Sequence, residues 1–271
     1  MPILAGYMVP HPPIAVREIG RGEELKIQDT LDSFDTVARD IEELKPDTII
    51  LTSPHSIMYG DYFHISPGRR AVGDFGRFGA RNVRFDVEYD DELAAEIGKV
   101  CDAEGIPAGT LGERDPSLDH GTTVPMYFIN KRYTDYKLVR IGLSGLGLNT
   151  HYEFGKAIRK AVERTGRRCV FVASGDLSHC QKEDGPYGFA PEGPVYDEKI
   201  MSVMGAGDFG ALTSFDEELL DKSMECGHRS FTIMGGAFDG INIDTRELSH
   251  EATFGVGYGF CIYHPLPYRG V

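Results

Sequence analysis

Cysteine is scarce and irregularly placed: five residues in 271, an odd number with no CxxC pair. That argues against a disulfide framework and against a structural zinc ribbon, and leaves the thiols reduced. No stretch is long and apolar enough to span a bilayer. Basic residues are also in short supply, 28 against 42 acidic ones, for a formal charge of −14. Such a chain repels a phosphate backbone, so neither nucleic acid nor a membrane is an expected partner. The one basic cluster, Arg69, Arg70, Arg77, Arg81 and Arg84, lies in a glycine-rich stretch and reads as a solvated loop. Repeats, low-complexity tracts and a basic leader with a hydrophobic block are missing too, which makes the cytoplasm the expected location.

What remains is an ordinary core-forming composition, 41% apolar and 26% charged, and its periodicity alternates. Residues 3–8, 47–53, 136–143 and 169–175 read as buried strands. Between them, Leu31, Phe34, Ala38, Ile41 and Leu44, then Leu93, Ile97 and Val100, then Phe154, Ile158, Ala161 and Val162 recur at helical spacing. This predicts one α/β domain over residues 1–271, with a mostly parallel or mixed sheet flanked by helices and a site at the carboxyl ends of the strands. Segments 63–65, 83–89 and 254–263 are candidates for antiparallel or edge strands. Segments 66–80 and 182–194, rich in glycine, proline and aromatics, read as loops that shape a site.

Three histidines follow separate strands: His11 in VPHPP, His55 in SPHS and His179 in ASGDLSH. A parallel sheet gathers such positions at one mouth. His120 lies in DHGTTVPMYFI, where Asp119 or the Thr pair can cap a helix entered through Pro125. Two imidazoles and a carboxylate on one face of Fe(II) leave positions open for substrate and dioxygen. His11 and His55, braced by Pro10, Pro12, Pro13 and Pro54, are the expected nitrogen ligands. Glu225, where a helix stops before Gly227, is the expected carboxylate, with Cys226 packing nearby without coordinating. His64, His151, His250 and His264 show no convergent partners, His228 is expected to be structural or pocket-lining, and Tyr187 and Phe189 carry no assigned role.

In these residues the chain resembles the class III extradiol ring-cleavage dioxygenases, the family of the protocatechuate 4,5-dioxygenase catalytic subunit. It is most similar to the branch that includes the Memo proteins and the AMMECR1-associated dioxygenase-like domain. VPHPP, SPHS, GDFGRFG, LDHGTTVPMYF, ASGDLSH, ECG and FGVGYG run in family order. The resemblance implies Fe(II) on His11, His55 and Glu225, and a catechol-type or aminophenol-type substrate cleaved with dioxygen. It assigns His179 to acid-base transfer and His120 to stabilising substrate or oxygen, with Asp176 a candidate to orient His179. A homo-oligomer is expected, with any partner protein supplied by another chain. The rival expectation is a Memo-like metal-binding or interaction protein that uses the same pocket without ring cleavage.

Overall fold

The apolar runs become the parallel centre of one sheet in the computed structural model, which describes residues 3–112 and 115–267. The strands are β1 (Ile3–Val9), β2 (Thr48–Ser53), β3 (Phe63–His64), β4 (Arg70–Phe75), β5 (Ala80–Glu88), β6 (Ala108–Gly109), β7 (Lys137–Gly142), β8 (Cys169–Ser174), β9 (Ile243–Glu251) and β10 (Tyr258–Pro265). The helices are α1 (Arg17–Gly20), α2 (Gln28–Leu44), α3 (Asp91–Glu104), α4 (His120–Ile129), α5 (Leu148–Thr165), α6 (Glu192–Ala206), α7 (Glu217–Ser223) and α8 (His228–Ala237). The main sheet runs β7-β2-β8-β1-β10-β9. Its first four strands are parallel, β10 pairs antiparallel with β1, and β9 pairs antiparallel with β10.

Strand alternation divides the core into two layers. Ile50, Val139 and Phe171 face one way, onto Leu93 and Ile97 of α3, Phe154 and Ile158 of α5, and Phe231 and Ile233 of α8. Ile49, Leu51, Val170 and Val172 face the other way, onto Phe34, Val37 and Ile41 of α2 and Val124 and Phe128 of α4. Helix ends follow local chemistry. The Asp90 carboxylate accepts from the Leu93 amide at 3.0 Å to open α3, and Gly105, at φ +72°, closes it. No helix among the described residues is long and apolar enough to cross a membrane.

Two segments differ from the sequence reading. Residues 66–80, expected as loop, hold β4 and the turn of a hairpin with β5; the alternation there is short and interrupted by Gly73 and Gly76. One edge of the sheet is β9, IDTRELSHE, whose polar composition hid it. Charge on an edge strand discourages further strand pairing.

Burial of imidazoles makes the fold acid-sensitive. His64, His151 and His228 are fully buried, and desolvation lowers each to about 4. The unfolded chain binds these protons near pH 6.5 and the folded chain does not, so their stabilisation is complete above 6.5 and fades as pH falls toward 4. Each can cost up to about 3 kcal/mol. Burial raises Asp176 and Glu225 to about 7, which works in the opposite direction, but imidazoles outnumber them. Thermal melts should show the unfolding midpoint dropping by several degrees between pH 7 and pH 5; an unchanged midpoint would contradict a net loss of stability on acidification.

Candidate metal centre

His11 emerges from β1 into a proline-stiffened bend, with its ring buried. Its protonation pattern is set from α4. Pro125 inside that helix has no amide hydrogen, so the Gly121 carbonyl one turn earlier loses its helical donor. The Ser174 hydroxyl, at the end of β8, donates to that carbonyl at 2.6 Å. Ser174 Oγ also lies 2.9 Å from His11 Nδ1. With the hydroxyl proton committed to Gly121, Nδ1 is the donor of this pair, and the lone pair of His11 resides on Nε2. Burial, then the neighbouring imidazoles, keeps the ring neutral by lowering its pKa.

The His11 lone pair points at His55. The two Nε2 atoms stand 3.0 Å apart, and Cys226 Sγ is 3.6 Å from His11 Nε2. One donor atom from each of His11, His55 and Cys226 lies within 4.8 Å of the others. A buried nitrogen lone pair facing a second imidazole and a thiol is the donor arrangement of a transition-metal site. The residues present therefore fit a divalent ion, with the Cys226 thiol rather than the Glu225 carboxylate as the third donor atom that converges on the two histidines. Ser174→Ala should release the His11 tautomer and weaken metal retention about 10–100-fold. Competition against a graded chelator measures this, and undiminished retention would remove Ser174 from the account.

Glu225 falls elsewhere. α7 ends with Met224 in the left-handed region at φ +53°, so residues 225–227 form a non-helical link rather than a helix end. There the Glu225 carboxylate turns to the first amide of α8, accepting from His228 N at 2.6 Å, and Cys226 turns to the histidines. The link can pass this close because two glycines meet: a Cβ on Gly175 would lie 2.1 Å from Gly227 Cα. The same contact lets the Asp176 amide donate to Cys226 Sγ at 3.3 Å.

Around the trio stand the other expected residues. His120 opens α4, stacks on the His55 ring at 3.9 Å between centroids, and is lowered to about 4 by burial and by His55. Asp119 caps that helix as expected, accepting from Thr122 N at 3.0 Å, and also from Ser53 Oγ at 2.5 Å. His179 is near enough for its charge to be felt by both His11 and His55. Its Nδ1 is buried without a hydrogen-bond partner, and Tyr187 meets the ring edge-on at 5.1 Å. Asp176 serves His11 rather than His179: its Oδ1 accepts from the His11 amide at 2.7 Å, and Oδ2 lies 3.8 Å from His11 Nε2.

Sequence reasoning missed the support under the His179 loop. Buried Asp197 of α6 accepts from Ser178 N and from His250 Nε2, each at 2.8 Å. His250 thus has a partner after all, 53 residues away in sequence and invisible to any local pattern. A cavity of about 900 Å³ opens beside His55 and His120.

A metal-competent cluster of imidazoles at the carboxyl ends of a mostly parallel sheet is the class of site this fold defines. The chain belongs to the LigB family: residues 5–261 match the catalytic LigB subunit of aromatic ring-opening dioxygenase. A protein of Clostridium acetobutylicum is 41% identical over 260 residues, 93% of this chain and 56% of the relative, so the chain spans little more than half of that relative's length. The 2-aminophenol 1,6-dioxygenase beta subunit of a Pseudomonas species is 26% identical, covering 94% of this chain and 92% of its own. A MEMO1 family protein of Pyrobaculum aerophilum is 27% identical, over 81% and 73% respectively. A crystal structure of an uncharacterized Escherichia coli K12 protein shares the fold, with TM-score 0.60 at 13% identity, over 96% of this chain and 99% of that one.

Proposed function

We propose that this chain is a non-haem Fe(II)-dependent extradiol dioxygenase acting on a catechol-type or aminophenol-type aromatic. The observation that carries the reading is the convergence of His11 Nε2 and His55 Nε2 to 3.0 Å with Cys226 Sγ beside them. His11, His55 and Cys226 hold the ion, and Asp176 supplies a carboxylate close to it. The bound metal supplies positive charge that acidifies the substrate hydroxyls and brings dioxygen next to the ring. Both oxygen atoms end in the ring-opened product, and the ring's own electrons reduce them, so no external reductant is required.

The remaining work belongs to side chains. His179, held neutral by burial, takes the proton that a phenolic hydroxyl loses on binding and returns it when the ring opens. His120 lies against the bound ring from the His55 side and donates or accepts at the second hydroxyl. Membership in a family of aromatic ring-opening dioxygenases and 26% identity to an aminophenol-cleaving enzyme support this chemistry. The test is oxygen uptake with coloured ring-opened product when the Fe(II)-loaded chain meets catechols and aminophenols under one panel of conditions.

The thiol favours a second reading. A thiolate biases a site toward softer metals and is itself open to oxidation. On this reading the chain is a Memo-like metal-binding protein that opens no rings, in keeping with its likeness to a MEMO1 family protein. Stable metal binding with no oxygen uptake across the whole panel selects it over the first.

A further inference from the structure

The cavity beside His55 and His120 is larger than one aromatic ring requires. At about 900 Å³ it lies near the upper end for small-molecule sites. One wall is the outward face of the β4–β5 hairpin, which presents Val72, Asp74, Arg84 and Asp86. The hairpin tip brings Phe78 to the His120 ring at 5.4 Å, and Arg77 close enough for its charge to act on that ring.

Charge in this wall is arranged unlike much of the surface. With 42 acids to 28 bases, exposed cations commonly rest against a carboxylate: Arg70 on Asp86 at 2.9 Å, Arg132 on Asp35 at 2.6 Å, Lys137 on Glu88 at 2.9 Å. Arg77 and Arg84 line the cavity with no carboxylate oxygen within 4.0 Å among the described residues. Arg84 stands opposite Asp74 in the hairpin register, yet its Nε only grazes the Arg81 carbonyl at 3.4 Å. Meanwhile the acids of the cavity are engaged. Asp86 holds Arg70, Asp74 takes the Gly76 amide at 2.7 Å, and Asp115 takes the Ser117 amide at 3.0 Å. Asp119 is bonded by Ser53 and Thr122 and faces Arg140 at 3.7 Å.

We propose that Arg77 and Arg84 form a subsite for an anionic group on an arm of the aromatic substrate, several atoms away from the ring held at the metal. This rests on the ring-opening reading for the ring itself. The physics of the arm is independent of it: two guanidinium forks with no carboxylate oxygen within 4.0 Å among the described residues, in a wall whose acids already accept other hydrogen bonds, are matched to a carboxylate or phosphate oxygen pair. The arginines of the hairpin, read from sequence as a solvated cluster, then select substrate.

Binding to the zinc-loaded chain, in which no turnover occurs, tests this by calorimetry. The probes are 3-(3,4-dihydroxyphenyl)propionate, its methyl ester and the corresponding phosphonate. The carboxylate or the phosphonate should bind at least about tenfold tighter than the ester, and the better of the two identifies the acid. In the Arg77→Gln/Arg84→Gln double variant that advantage should vanish. Equal binding of acid and ester, an advantage that survives in the double variant, or no binding of any probe would each overturn the subsite. Oxygen uptake by the Fe(II)-loaded chain is read separately, so an intact acid preference without ring opening rejects the ring-opening reading alone.

Discussion

His179→Ala is expected to keep its metal and lose about 10²–10⁴-fold in turnover, the usual contribution of a positioned acid-base group. The ring sits beside the metal residues without being one of the three converging donors. Burial holds the ring below its ordinary pKa, so it is neutral and able to accept a proton. Metal analysis and oxygen uptake on the same sample separate the two effects. A variant that arrives metal-free would make His179 a ligand. Full turnover would move the proton transfer to another group, with His120 next in line.

The second large effect concerns the donors. His11→Ala, His55→Ala and Cys226→Ser should each abolish stoichiometric metal retention, because each removes one of three converging donor atoms. Glu225→Ala should retain the metal and lose only the bond to the first amide of α8, about 1 kcal/mol by analogy with helix caps. Circular dichroism confirms that each variant is folded. Retention by Cys226→Ser together with loss by Glu225→Ala would restore the carboxylate to the site and contradict the geometry described above.

The contrast between Glu225 and Cys226 marks where sequence reasoning stops. Adjacent residues on a helix point about 100° apart, so reading MECG as a helix end made the choice a matter of donor chemistry. The left-handed Met224 removes that premise, and nothing in the local pattern announces a left-handed methionine. Buried parallel strands were legible because burial on both faces leaves uninterrupted apolar runs, and the three post-strand histidines followed from them. The edge strand β9 was not, since an exposed edge needs no apolar pattern. Asp119 as a cap was visible from its place at the head of DHGTT. The chain of contacts from Pro125 through Gly121 and Ser174 to His11 was not, because it joins three elements that meet only in the folded sheet. Asp197 beneath the His179 loop belongs to the same kind, a long-range pair without a motif.

X-ray absorption at the metal edge of the zinc-loaded wild-type chain tests the central claim most directly, because zinc does not oxidise the thiol. Coordination by His11, His55 and Cys226 predicts one sulfur scatterer at about 2.3 Å together with imidazole nitrogens at about 2.0 Å. A coordination sphere of nitrogen and oxygen alone, with no sulfur, would contradict it.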